Sequence, residues 1–427
     1  MDKAWIISVN MGYGHQRTAF PLRDLAPEGK VIQANDYEGI PVSDKRIWEG
    51  SRKFYEFISN FYRVPLIGSR IFSIYDHFQE IFSFYPKKDL SRPNFGLKQM
   101  YSLFKKGWGK DLIETLRLRS GQVPLPIIST FFIPAFMAEF FNYPGEIFCV
   151  ICDADISRAW APLNPKQSRI KYFASSSRVS ERLKIYGVRA ENIFLTGFPL
   201  PAYRSGRPAS PAGGPEGSIE DDLKTRLVIL DPEKKYFEKY EVLIKEKLGE
   251  LPKAVNRPLT IMFSVGGAGA QKEIGVKIVK SLKNKIKSGE IKIILAAGIK
   301  EKVKDYFEKK TEGNAEILYQ EKIEDYFREF NRKLRETDIL WTKPSELSFY
   351  TALGIPMIIS PPVGSQEEFN MRYLLKSGFA IAQENPNYTD QWLFDWLKQG
   401  YLAEAAMQGF VEGEKMGVSN IKIVCGF

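Results

Sequence analysis

The chain is punctuated by short apolar runs that do not alternate with polar residues. AWIISV (4–9), KVIQAND (30–36), PIIST (126–130), EIFCVICD (146–153), IKYFASS (170–176) and NIFLTG (192–197) occupy its first half. PLTIMFSVGG (258–267), KIILAAG (292–298), AEILYQ (315–320), DILWTK (338–343) and IPMIIS (355–360) occupy its second. Strands of this kind are buried on both faces, which is the habit of parallel sheets covered by helices. Helix-like stretches such as RVSERLKIYG (178–187) and KEKVKDYFEKK (300–310) lie between them. The alternation predicts an α/β chain with parallel sheets.

At 427 residues the chain exceeds one comfortable core. The rhythm stops at RSGRPASPAGGPEGS (204–218), whose Pro, Gly and Ser content is linker chemistry. A charged helical segment, PEKKYFEKYEVLIKEKLGEL (232–251), follows before the strands resume. The expected division is a first domain over 1–203, a linker and charged helix over 204–255, and a second domain over 256–385. A helical segment over 386–427 is expected to cross back to the first domain.

Residues 45–119 fit neither rhythm. They hold 15 Lys/Arg against 7 Asp/Glu, most of the chain's net charge of +10, and 16 of its 57 aromatic residues. Interleaved basic and aromatic residues suit helices lying on an anionic membrane surface, with Arg52, Lys53, Arg63, Lys105, Lys106 and Trp108 as contacts. The alternative is a cap whose aromatics pack on the sheet. The same residue types serve RNA, but no RNA-binding motif accompanies them, so no nucleic-acid partner is expected.

The most apolar window, VPLPIISTFFIPAFMAEFF, contains Pro124, Pro126, Pro134 and Glu139. It reads as a strand and a helix rather than a membrane span. Met1 leads directly into a strand pattern, without a signal peptide. Cys149-x-x-Cys152 falls in a strand, where residues three apart face opposite sides, so neither a redox pair nor a disulfide framework is expected. A cytoplasmic, peripherally membrane-associated protein is the expectation.

Glycine-bearing turns follow three of the strands: Met11-Gly12-Tyr13-Gly14-His15, Val265-Gly266-Gly267-Ala268-Gly269 and Ala297-Gly298. Such turns let a backbone approach a ligand, and a following helix offers N–H groups to an anion. None is a G-x-G-x-x-G, and no Walker motif occurs. One in each domain favours a ligand held in a cleft between two domains.

The stretch ILWTKPSELSFYTALGIPMIISPPVGSQEEFNMRYLLKSGFAI (339–381) resembles the GT-B glycosyltransferases of the monogalactosyldiacylglycerol synthase type. These include the bacterial processive diacylglycerol glucosyltransferases and, more distantly, the transferase that completes lipid II. The matching positions are Thr342, Lys343, Ala352, Leu353, Gly354, Pro356, Gln366, Glu367, Asn370 and Gly378. SVNMGYGHQRTA, YFASSSRVSERLKIYGVRAENIFLTGFPL and MFSVGGAGAQ are similar to further family segments in the family's order. The resemblance implies two Rossmann-like parallel-sheet domains facing an interdomain cleft. It also implies an inverting, metal-independent transfer of a hexose from a nucleotide diphosphate sugar, UDP-sugar foremost, to a membrane-associated lipid acceptor. No cofactor is implied.

Within that resemblance His15 is the base for the acceptor hydroxyl, its imidazole titrating near neutrality on the first turn. Asp153 would orient the acceptor or His15. Donor binding falls to Gly14, Gly266, Gly267, Gly269, Lys343, Ser345, Ser348, Gln366 and Glu367, with backbone N–H groups and Lys343 meeting the leaving diphosphate. Asp153-x-Asp155 is formally a metal-type pair but sits in the acceptor domain. Three departures stand out: Ser345-Glu346 in place of a glycine-rich phosphate turn, Thr351 in place of a ribose-binding Glu, and Phe131-Phe132 in place of a polar pair. They leave two other readings open: a non-catalytic lipid- or nucleotide-binding protein, and a nucleotide-sugar epimerase or hydrolase of the same fold.

Overall fold

Two parallel sheets of six strands each organise this computed structural model, which describes residues 3–50, 81–201, 218–267 and 269–427. Contacts divide the chain into two units. The first is Met1–Leu200 with Val363–Asn370 and Glu414–Phe427; the second is Pro201–Pro362 with Met371–Gly413. The Pro/Gly/Ser-rich linker of the sequence reading lies almost wholly outside the described residues, as do Arg52, Lys53 and Arg63 of the basic segment.

The first sheet runs in the order β2 (Ile32–Gln33), β1 (Trp5–Ser8), β3 (Ile127–Ser129), β4 (Ile147–Val150), β5 (Lys171–Ala174), β6 (Ile193–Leu195). β1, β3 and β4 are buried at every position, as their unbroken apolar runs require. Phe148 and Phe173 stack across β4 and β5 with ring centroids 5.0 Å apart. The carboxy-terminal helix Gly417–Cys425 closes this unit's core through Ile421. Gly417 permits that approach, because a Cβ there would stand 2.1 Å from the Phe198 carbonyl oxygen.

The helix after β1 is short. It covers Tyr13–Ala19 and then tightens to a 3-10 turn over Phe20–Leu25. Pro21 is the cause, since it has no N–H to continue the ladder and its ring crowds the preceding turn.

The second sheet runs β12 (Ala380–Ala382), β11 (Met357–Ile359), β10 (Ile339–Thr342), β7 (Leu259–Ser264), β8 (Ile291–Gly298), β9 (Glu316–Tyr319). Two helices, Ile219–Leu230 and Lys235–Leu248, lead into it, the second being the charged helical segment expected over 232–251. Arg226 of the first is buried, and its guanidinium is met by the carbonyls of Thr337, Leu334, Leu353 and Gly354. A buried cation so fully hydrogen-bonded escapes most of its desolvation cost. Both sheets are Rossmann-like: unit two has the doubly wound order in which strand sequence reverses between its first and fourth strands.

Candidate active site

In open parallel sheets, ligands are held outside the carboxyl ends of the strands where the strand order reverses. In the first unit that point lies between β1 and β3, which pair directly. His15 follows β1 and Thr130 follows β3. The Nδ1 atom of His15 lies 2.9 Å from the Thr130 carbonyl oxygen. A carbonyl only accepts, so Nδ1 carries a proton in this bond, and in the neutral ring Nε2 is then the acceptor. Thr130 Oγ1 donates in return to the His15 carbonyl at 2.9 Å.

The imidazole is half-buried against an aromatic wall. Phe131 lies 4.6 Å and Trp160 6.2 Å from its ring centre, and Phe132 completes the group at 5.2 Å from Trp160. Phe131-Phe132 thus supply packing where the sequence comparison expects polar groups. An apolar wall on one side of a base lowers the local dielectric and strengthens its hydrogen bonds.

The loop after β4 runs beside the histidine. Cys152 Sγ lies 3.5 Å from His15 Nδ1, and Asp153 follows it. Ser175 Oγ donates to the Asp153 carbonyl at 2.6 Å, and Ser176 Oγ donates to that of Ala154 at 3.2 Å. Asp155 is committed elsewhere: it is buried and takes a two-pronged ion pair from Arg182, at 2.8 Å on each oxygen. Its Oδ1 also accepts from the Ile156 N–H. The Asp153-x-Asp155 pair therefore does not present two carboxylates to one cation.

In the second unit the strand order reverses between β7 and β10, again direct neighbours. Gly266 follows β7 and Lys343 follows β10. The lysine stem crosses the glycine so closely that a Cβ on Gly266 would stand 2.5 Å from Lys343 Cε and 3.3 Å from Nζ. A cation laid over a glycine turn is a receptor for a phosphate-type anion. Gly269 does not add its amide to that receptor, because its N–H donates to the Gly266 carbonyl at 2.7 Å to close the turn.

The segment after Lys343 is enclosed rather than an open turn. It is a 3-10 helix, Glu346–Leu353, with all eight residues buried. Ser345 is half-buried at its start, with its carbonyl accepting from the Ser348 N–H. Ser348 is wholly enclosed at 0% exposure, and its hydroxyl has no hydrogen-bond partner among the described residues. Thr351 is likewise enclosed and donates to the Ser348 carbonyl at 2.8 Å. The enclosure follows from Gly409 of helix Tyr401–Glu412, whose missing Cβ lets that helix sit directly on the Thr351 backbone.

Gln366 and Glu367 lie in the first turn of helix Ser365–Ser377 and are half-buried. Glu367 Oε2 accepts from the Val363 N–H at 2.8 Å. Asn370, one turn on, is fully buried and bonded to the loop after β4: Ala154 N–H to Oδ1 at 2.8 Å, and Nδ2 to Asp153 Oδ1 at 3.2 Å. Gly14 lies within the short first helix, its carbonyl accepting from Thr18 Oγ1. Gly267 lies in the turn after Gly266, and its side of the turn is half-buried.

Of the basic segment, residues 45–50 and 81–119 are described, and they include helix Phe95–Lys105 and helix Lys110–Arg119. Trp108 is a correction: it is 3% exposed and packed on Trp48 and Phe104, where its ring serves the interior rather than a surface. Lys105 and Lys106 are exposed, on the same face as Lys98 and the 74% exposed ring of Phe95. Among the described residues, no helix is long and apolar enough to cross a membrane.

Thr130, Cys152 and Asn370 were absent from the residues singled out as the site. Thr130 had a signal, the end of a buried strand at a reversal of strand order. Asn370 had the family pattern alone. Cys152 had only its adjacency to Asp153.

Two parallel Rossmann-like units, one with a histidine at its strand ends and one with a lysine over a glycine turn, have the two-domain plan seen in GT-B glycosyltransferases. The similarity extends to particular proteins. The chain is 22% identical over 389 residues to the processive diacylglycerol beta-glucosyltransferase of Bacillus pumilus, covering 89% of this chain and 82% of that one. It is 25% identical over 292 residues to the enzyme of the same name from Bacillus subtilis, covering 67% and 63%. The resemblance to processive diacylglycerol glucosyltransferases thus spans both units. Residues 252–333 match a family model described as a domain of unknown function, DUF6938. Solved structures with related folds include MurG of Acinetobacter baumannii, at 12% identity and a TM-score of 0.44 over 74% of this chain and 76% of that one. The UDP-GlcNAc 2-epimerase of Neisseria meningitidis gives 14% identity and a TM-score of 0.42 over 83% and 87%.

Proposed function

We propose that the protein is an inverting, metal-independent glycosyltransferase. It moves a hexose from a nucleotide diphosphate sugar, UDP-sugar foremost, to a diacylglycerol-type lipid at an anionic membrane surface. The observation that carries this reading is the His15–Thr130 hydrogen bond, which fixes the imidazole at the ligand-binding end of a parallel sheet. The names of the curated relatives support the lipid acceptor and the sugar.

In the reaction the acceptor O–H gives its proton to His15 Nε2 while its oxygen attacks the anomeric carbon. The bond from that carbon to the diphosphate breaks, and the nucleotide diphosphate leaves with the electron pair. Displacement from the opposite face inverts the anomeric centre. Lys343, with the Gly266–Gly267 backbone, neutralises charge on the departing diphosphate. Asp153 orients the acceptor, and Gln366 and Glu367 meet sugar hydroxyls. Asp155 is held by Arg182, which supports a mechanism with no cation at the Asp153-x-Asp155 pair.

A second reading, a nucleotide- or lipid-binding protein without turnover, is favoured by the enclosure of Ser348 and Thr351 where a donor loop is expected. One assay separates the two. The protein is incubated with UDP-glucose and diacylglycerol in anionic vesicles, with and without a chelator. Lipid hexoside of inverted anomeric configuration, formed equally in chelator, is the expected result. Nucleotide binding without product would establish the second reading.

A further inference from the structure

We propose that Asn370 is a positioning residue that holds the Asp153 loop against His15. The inference rests on the reading of His15 as the base. Asn370 is 1% exposed, and both ends of its carboxamide are used. The Ala154 N–H can be met only by the amide oxygen, at 2.8 Å, and the Asp153 carboxylate only by the amide nitrogen, at 3.2 Å. The orientation of the amide is therefore forced, and a carboxylate of the same length supplies the donor only when it is protonated.

The clamped loop leads straight to the imidazole. Cys152, next to Asp153, has its sulfur 3.5 Å from His15 Nδ1 and 4.0 Å from Asp153 Oδ2. A shift of the loop moves the groups flanking the nitrogen whose proton sets the tautomer. Asn370 also lies one turn beyond Gln366 and Glu367 on helix Ser365–Ser377. It fixes the turn carrying the candidate sugar ligands to the loop carrying Asp153, all within the first unit's contact set.

Substitution with Asp gives the sharpest test. Asn370→Asp keeps the shape and the acceptor for Ala154 N–H, but replaces the donor facing Asp153 with a second carboxylate. Two carboxylates at that distance do not both ionise, so one retains a proton to higher pH. Protonation restores the missing donor. Cys152, whose sulfur lies 4.0 Å from Asp153 Oδ2 and 3.5 Å from His15 Nδ1, and the Asp155–Arg182 ion pair two residues on are unchanged in the variant.

The experiment compares full-length wild type, Asn370→Ala and Asn370→Asp for transfer rate against pH, and for imidazole NMR with labelled histidine. The chain has only two histidines, so His77→Ala assigns the His15 signals. We expect kcat to fall about tenfold or more in Asn370→Ala with donor KM changed less than about twofold, as for displaced catalytic groups. In Asn370→Asp the ratio to wild type should be low near pH 8 and rise toward one as pH falls. The His15 signals should shift in both variants. A wild-type pH profile in Asn370→Asp, with unchanged His15 signals, would overturn the proposal. If Asn370→Ala fails to fold, Asn370→Asp decides alone. If the wild type transfers no sugar, the functional reading fails while the His15 signals still decide the role of Asn370.

Discussion

His15 and Thr130 hold each other twice, Nδ1–H to the Thr130 carbonyl and Thr130 Oγ1 to the His15 carbonyl, each at 2.9 Å. The two residues follow adjacent strands, so the sheet itself sets the ring. His15→Ala removes the proposed base and leaves Gly266 and Lys343 of the second unit unaltered. Transfer should fall about 10²- to 10⁴-fold, the usual worth of a general base. Nucleotide affinity by calorimetry should stay at the wild-type value. Full activity in the variant would remove His15 from the mechanism.

Gly266 and Lys343 give a second test. An alanine at 266 collides with the lysine stem, not with backbone, so the chain folds and the lysine swings aside. Gly266→Ala and Lys343→Ala should weaken UDP binding by similar factors, about tenfold for one charge-assisted contact of 1.4 kcal/mol. Their melting temperatures should remain near wild type. Gly417→Ala is the contrast, because its Cβ meets the Phe198 backbone and the variant should be strongly destabilised.

The Asp155–Arg182 pair is enclosed, with side-chain exposures of 4% and 0%. Burial works against the guanidinium's charge, but the bonds from Asp155 prevail and raise the Arg182 pKa. Arg182→Met strands a buried carboxylate and should cost about 3–5 kcal/mol in denaturant unfolding of the first unit. Asp155→Leu together with Arg182→Met should cost less than the single change, since the pair is then removed as a whole.

The parallel α/β plan was legible because buried strands write themselves as unbroken apolar runs, and IIS at 127–129 or LTIMFS at 259–264 has no other easy home. His15 was legible because histidine is scarce in this chain and stands on a strand-end glycine turn. Trp108 and Ser348 were not. An interleaved basic and aromatic sequence does not say which side of a helix turns inward, and Trp108 turns inward onto Trp48. Ser348 lies in a local sequence that reads as a ligand turn, but a distant glycine, Gly409, lets a helix seal the segment. Asn370 acts through a hydrogen bond to a residue 216 positions away, which no local pattern encodes.

Lys333, Lys292, Glu316 and Glu336 form a closed ring of ion pairs of 2.6–2.9 Å in the second unit. Burial would raise both carboxyls, but the bonds from Lys333 and Lys292 hold them below the ordinary 4.5. A lowered carboxyl pKa contributes stability that is present above the unfolded value and is lost as pH falls through the folded one. Lys333→Met should therefore cost about 1 kcal/mol at pH 7, a figure kept small because both carboxylates are about one-third exposed and screened. The difference between variant and wild type should shrink as unfolding is measured from pH 5 down toward pH 3. A constant difference across that range would show that the loss is packing of the lysine stem alone.

Lys98, Lys105 and Lys106 share the exposed face of helix Phe95–Lys105 and its cap with the uncovered ring of Phe95. On an anionic bilayer each lysine contributes about 1 kcal/mol near the surface, and the attraction decays within a Debye length. Replacing Lys105 and Lys106 with Glu should therefore lower co-sedimentation with phosphatidylglycerol vesicles by at least about tenfold in partition coefficient, that is, by more than 1.4 kcal/mol. Raising salt to 0.5 M should bring wild type down toward the variant, while neutral phosphatidylcholine vesicles should not distinguish them. Phe95→Ser should weaken vesicle binding at either salt concentration, because its contribution is burial rather than charge. Because Trp108 is buried against Trp48 and Phe104, Trp108→Ala should lower the melting temperature, and any loss of vesicle binding should track unfolding. Equal binding by wild type and the Lys105→Glu, Lys106→Glu variant at low salt would exclude this helix face from the membrane contact.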